Sequence, residues 1–171
     1  MDALMIVLRL VHVVLGVFWA GTLFFLAGFL IPSVQDAGPE GGKVVQALQR
    51  RRFMDILPVV AVFNILSGLI LYWRVSGGFR PEWSRSPMGM SLGIGAVASI
   101  VAFAVGAGVM RPATLKAGAL TQTLAQLTDA AARDARQAEI QRLRMRSALA
   151  ARWVASLLGV AVITMAVARY L

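Results

Sequence analysis

The sequence predicts an all-α fold: a four-transmembrane-helix bundle with a cytoplasmic helical hairpin extending helices 3 and 4. Three observations predict it. The 171-residue chain is 58% hydrophobic with a mean hydropathy of +0.74, more apolar than a soluble domain of this length can bury. Its apolar residues gather into four runs close to the roughly 20 residues a helix needs to cross hydrocarbon. Its 17 Lys and Arg residues, against 8 Asp and Glu, fall mostly between those runs.

The runs cover about 4–30, 56–73, 88–109 and 149–168. Hydrocarbon offers no partner for open backbone groups, and the alternation of barrel strands is absent, so each run reads as a helix. The first is expected to end before Pro32, and the third before Arg111 and Pro112, because proline lacks the donor a helix interior needs. The first run is too long for the apolar part of a signal peptide and contains Arg9 and His12, so it reads as a retained anchor. Residues 1–171 form a single transmembrane domain with no internal repeat.

Loop 31–55 and loop 110–148 share one side of a four-span bundle. With Arg152 they hold 12 basic residues, whereas the other side holds Arg9, Arg74, Arg80, Arg85 and Arg169. The basic side is expected in the cytoplasm, with both termini periplasmic and the chain in a bacterial inner membrane. Tyr72, Trp73, Trp83 and Tyr170 then mark the outer interface. Residues 39–52 read as a surface helix, with Pro39 in its first turn and Arg50 to Arg52 toward anionic lipid. Loop 110–148 is too long for a simple connection and rich in helix formers. It reads as two arms, 113–127 and 134–148, with the bend near 128–133.

Composition excludes several classes of chemistry. The chain has no Cys, so disulfides, thiolate metal sites and cysteine nucleophiles are out. Loop charge accounts for the basic excess, and no groove-reading motif suggests nucleic acid. No Walker loop, dinucleotide fingerprint or nucleophile elbow is present, and no catalytic residue is nominated.

Polar residues within the spans are costly there and carry the functional expectations. Met5, Arg9, His12, Gly16 and Trp19 are spaced as one helical face, expected to look into the bundle. His12 is either a neutral histidine bonded between helices or a ligand for haem or metal. As a metal site it would draw on Met5, Met88, Met90 and Met165, thioethers suited to Cu(I) or, as an axial ligand, to haem. Arg9 is expected to snorkel or to pair with Asp2 or Glu82. Asn64 and Ser67 are expected to bond a neighbouring helix, with Asn64 or a backbone carbonyl accepting from the Trp19 indole. Gly16, Gly89, Gly93, Gly106 and Gly159 are expected at tight helix contacts.

The stretch from Leu8 to Gly21, with His12 followed by Trp19-Ala20-Gly21, resembles the opening helix of a set of bacterial four-helix membrane proteins. The set includes copper-resistance D-like proteins and haem-associated protoporphyrinogen oxidases of the J type. The resemblance implies an inner-membrane location and nominates His12 as a ligand position. Those oxidases pair their His with an intramembrane Lys, whereas the lysines here, Lys43 and Lys116, lie in loops. The leading functional expectation is a non-enzymatic accessory or scaffold subunit, packed in lipid against other membrane subunits or a second copy. The alternative is a protein that handles haem b or copper through His12.

Overall fold

The computed structural model describes residues 3–171, apart from the side chain of Pro39. Among the described residues six helices follow one another: α1 (Ala3–Asp36), α2 (Gly38–Arg50), α3 (Phe53–Val75), the single turn α4 (Pro81–Ser84), α5 (Pro87–Leu124) and α6 (Ala130–Tyr170). No strand occurs among them. Helices α1, α3, α5 and α6 are each long and apolar enough to cross a membrane. Large apolar side chains such as Val14, Phe29, Phe63, Val97 and Ile163 stand exposed on their outer faces, as lipid contact requires.

α1 pairs with α3, α5 pairs with α6, and contacts of α3 with α5 and of α1 with α6 close the bundle. One end carries both chain termini and the 76–86 connection. The other carries α2 and the polar arms of α5 and α6. They are called here the terminal end and the basic end.

One predicted boundary is corrected and one refined. α1 does not stop before Pro32 but runs on to Asp36, and the third span joins its expected arm without a break, α5 running through Pro112 to Leu124. In both cases one π turn directly precedes the proline. Leu26–Leu30 closes with the Ile31 N–H on the Leu26 carbonyl, and Gly106–Met110 with the Arg111 N–H on the Gly106 carbonyl. A proline ring collides with the carbonyl four residues back in an ordinary helix. The wider turn relieves that collision, and the residue four back is a glycine each time, Gly28 or Gly108.

Pro58 sits inside α3 and removes the donor that would reach the Met54 carbonyl. Arg111 supplies it instead. Its Nε donates to Met54 O at 3.1 Å and its second guanidinium nitrogen to Asp55 Oδ1 at 2.8 Å. The residue after one π turn thereby caps the defect made by a proline on another helix.

The surface helix is Gly38–Arg50, close to expectation. The arms meet at 125–129 rather than 128–133, because Asp129 caps α6 by accepting from the Ala132 N–H at 2.8 Å. The core lies toward the basic end: Trp19, Leu23, Leu57, Ala61, Ala102, Ala151, Val154 and Leu158 are buried there. The terminal half is packed differently and contains the site.

Candidate functional site

In the terminal half residues from the four spans line a partly open cavity of about 500 Å³. His12 forms part of its wall, with Arg9 from the same helix, Asn64 and Tyr72 from α3, Met88 and Ser99 from α5, and Met165 and Arg169 from α6. Its size falls in the range of small-molecule and cofactor pockets.

His12 is half-buried and its ring is fixed. Nδ1 lies 2.9 Å from the Asn64 carbonyl oxygen. That oxygen only accepts, so Nδ1 carries the proton and donates. Ser67 Oγ donates to the same carbonyl at 2.9 Å and lies 3.5 Å from Nδ1. In the neutral ring Nε2 then carries the lone pair, and no described residue donates to it. Gly68 makes the approach possible: a Cβ there would stand 2.7 Å from His12 Cε1. Sequence reasoning did not single out Gly68. The signal lay in its position one turn beyond Asn64, on the face that meets α1.

Asn64 and Ser67 are buried, at 6% and 4% exposure. The link between α1 and α3 runs through the Asn64 backbone rather than its amide. Asn64 Oδ1 is buried with no hydrogen-bond partner, and a Cβ at Gly16 would come 3.3 Å from it. The expected bond between Trp19 and Asn64 is not formed. Trp19 points instead into the packed half, against Leu57, Ala61 and Ala102.

Of the four methionines, Met88 and Met165 line the cavity, whereas Met5 does not and Met90 is exposed. Arg9 makes no ion pair with Glu82; its other expected partner, Asp2, lies outside the described residues. Arg169 lies over the Tyr170 ring, its guanidinium carbon 4.7 Å from the centroid. Among the described residues no Asp or Glu lines the cavity, and no group of three His, Cys, Asp or Glu residues capable of holding a metal exists.

The terminal-end connection packs on Tyr72, one of the residues that line the cavity. Gly77 and Gly78 take positive φ, as does Phe79, and this reverses the chain within a few residues. Trp83 meets the Tyr72 ring edge-on at 5.2 Å, and the Tyr72 hydroxyl donates to the Gly89 carbonyl at 3.2 Å.

The expected small-residue contacts fall unevenly. Gly89 is pressed against the Trp83 carbonyl of its own entry turn rather than against another helix, while Gly93, Gly106 and Gly159 have ordinary or loose neighbours. Among the glycines of α5 the one pressed against α6 is Gly95, where a Cβ would lie 2.8 Å from Thr164 Oγ1 and 3.0 Å from Met165. Ser91 donates to the Thr164 carbonyl at 2.8 Å one turn away.

Fold and site together define a polytopic α-helical membrane protein with a histidine-walled cavity between its spans. Comparison with protein-family models, curated proteins and solved structures finds no match to this chain.

Proposed function

We propose that this protein binds haem, with the tetrapyrrole in the terminal-half cavity and His12 as its iron ligand. One observation carries the reading. The Nδ1–H of His12 is committed to a backbone carbonyl at the wall of the cavity. This is the outer-shell bond that orients a metal-binding imidazole and leaves Nε2 to ligate.

Charge favours haem over copper. Among the described residues two arginines and no carboxylate line the cavity. A bare cation would be repelled there, whereas a ligand with an apolar plane and carboxylate arms suits apolar walls flanked by Arg9 and Arg169. Met88 and Met165, on the other helices, line the same cavity and could hold the iron through a thioether. A bound haem would supply electron-transfer or ligand-binding chemistry; this chain's part is to hold the ring, pair its acids and limit water. A purely accessory or scaffold role accounts for the lipid-like exterior but gives no task to a His12 ring fixed at the wall of a cavity. The resemblance of the first helix to haem-associated membrane proteins agrees with the proposal. The loop charge supports an inner-membrane setting with the basic end in the cytoplasm; a carboxy-terminal reporter found in the cytoplasm would overturn that orientation.

The test is the absorption spectrum of protein purified in mild detergent from cells supplied with a haem precursor. A Soret band is expected, at least about tenfold weaker in His12→Ala. Wild-type protein with no Soret band, even after titration with haem, would refute the proposal.

A further inference from the structure

A second cavity, of about 130 Å³, lies at the basic end beneath the surface helix α2. Its walls are mostly apolar, with Leu30 and Val34 from α1 and Leu48 from α2. Two strong donors break that wall. Gln49 Nε2 is buried with no hydrogen-bond partner, and its amide rests against Gly118, where a Cβ would come 2.6 Å from it. Unpaired buried amide donors are rare in folded chains and call for an acceptor.

The second donor is Arg144, whose guanidinium reaches to 3.7 Å from the place a Cβ would take on Gly42. No carboxylate lines this cavity. Of the acids near it in the chain, Asp36 is exposed and outside the lining, and the others pair elsewhere: Glu40 with Lys43, Asp55 with Arg111, and Glu139 with Lys116 and Arg142. The one hydroxyl pair there is satisfied internally, Thr114 Oγ1 lying 2.7 Å from Ser147 Oγ. The pocket thus offers donors and positive charge, with acyl-compatible walls, at the level where α2 leaves the bundle.

We propose that this cavity binds the phosphate group of an anionic phospholipid. Arg144 and Gln49 donate to phosphate oxygens, and the apolar wall takes the first part of an acyl chain. The geometry is that of charge-assisted phosphate recognition, seated where anionic headgroups lie on the basic side of a membrane. The site is separate from the His12 cavity and does not rest on the haem reading.

The test uses the full chain in detergent and reads bound lipid by native mass spectrometry. The probes are phosphatidylglycerol, phosphatidylcholine and inorganic phosphate. Wild-type protein is expected to retain one phosphatidylglycerol in preference to phosphatidylcholine. Arg144→Gln and, separately, Gln49→Leu are expected to weaken it about tenfold. Gln49→Leu keeps the volume, and so guards against a variant that fails to fold. Changing the exposed Arg50 and Arg51 to Gln is expected to leave the single bound lipid in place. Equal retention by Arg144→Gln, equal retention of phosphatidylcholine, or competition by inorganic phosphate at the lipid's own concentration would each overturn the proposal. The last would assign the pocket to a free phosphate.

Discussion

Gly68→Ala adds one methyl where it meets the His12 ring. The new Cβ would lie 2.7 Å from Cε1, 3.1 Å from Nδ1 and 3.6 Å from Nε2. Non-bonded carbons settle at about 3.5–4.0 Å, so the ring must move by about 1 Å. The imidazole ends a flexible side chain and will give before the helices part. That motion breaks the 2.9 Å bond to the Asn64 carbonyl, a loss of about 0.5–1.5 kcal/mol. Replacing Gly by Ala inside a helix offsets up to about 1 kcal/mol of it. Global stability should therefore change by less than about 1 kcal/mol, while the ring loses its orientation. Since His12 is the only histidine, ¹⁵N-histidine labelling gives one imidazole to observe. In alkaline buffer the wild-type ring should show a protonated Nδ1 and a bare Nε2. Gly68→Ala should lose that single tautomer, and Gly21→Ala, with nothing within 4 Å of its added methyl, should keep it. A wild-type ring protonated on Nε2, or a Gly68→Ala spectrum identical to wild type, would refute the reasoning.

Other expectations follow from the same contacts. Gly95→Leu should destabilise the detergent-purified protein by at least about 1–3 kcal/mol in a thermal melt, because Thr164 and Met165 already touch that position; Gly21→Leu, which meets open space, should cost far less. Arg111→Met should cost about 1–3 kcal/mol by leaving the Met54 carbonyl without a donor. In the Pro58→Ala background, where the substituted backbone regains an N–H for that carbonyl, the cost should shrink, and a double-mutant cycle with no coupling would contradict this account. Ser91→Ala should lower stability by about 0.6 kcal/mol, the usual worth of such a bond between spans. On the polar arm of α6, hydrogen bonds from Arg142 and then Lys116 hold the Glu139 carboxyl down at about 2. A depressed carboxylate stabilises above its ordinary value of 4.5 and loses that contribution as pH falls toward 2. Hydrogen exchange in the two arms should therefore rise between pH 4.5 and 2, and less so in Glu139→Gln.

The spans were legible because an apolar run of about 20 residues has few other folds open to it. The helix ends were less so. Pro32 and Pro112 read as stops by the ordinary rule, and what defeats the rule is local: a glycine four residues earlier and one π turn, the same in both helices. Gly28-x-x-x-Pro32 and Gly108-x-x-x-Pro112 were visible but carry meaning only once the wide turn is seen. The face from Arg9 to Trp19 was legible from its spacing, yet its residues part company. Arg9 and His12 line the cavity, while Trp19 packs into the core.

What spacing could not supply is the partner across the gap. His12 is held by a backbone carbonyl on α3, and every residue has one, so no side-chain pattern marks it. The small-residue rule chose Gly89 and Gly93 for their spacing of four, whereas the pressed position is Gly95, selected by which face α6 happens to meet. The same holds for Pro58, Met54 and Arg111: each is plain in the sequence, but the defect and its repair lie on different helices. These long-range contacts also divide the molecule. Trp19, Leu23 and Val154 fill the basic half to near-complete burial, and that packed half can fix the four helices firmly enough for the terminal half to stay hollow. Were packing spread evenly along the spans, the volume beside His12 would close. The hollow is thus held open from below, and filling it with a larger side chain at Ala96, which lines it, should abolish ligand binding while leaving the melt nearly unchanged.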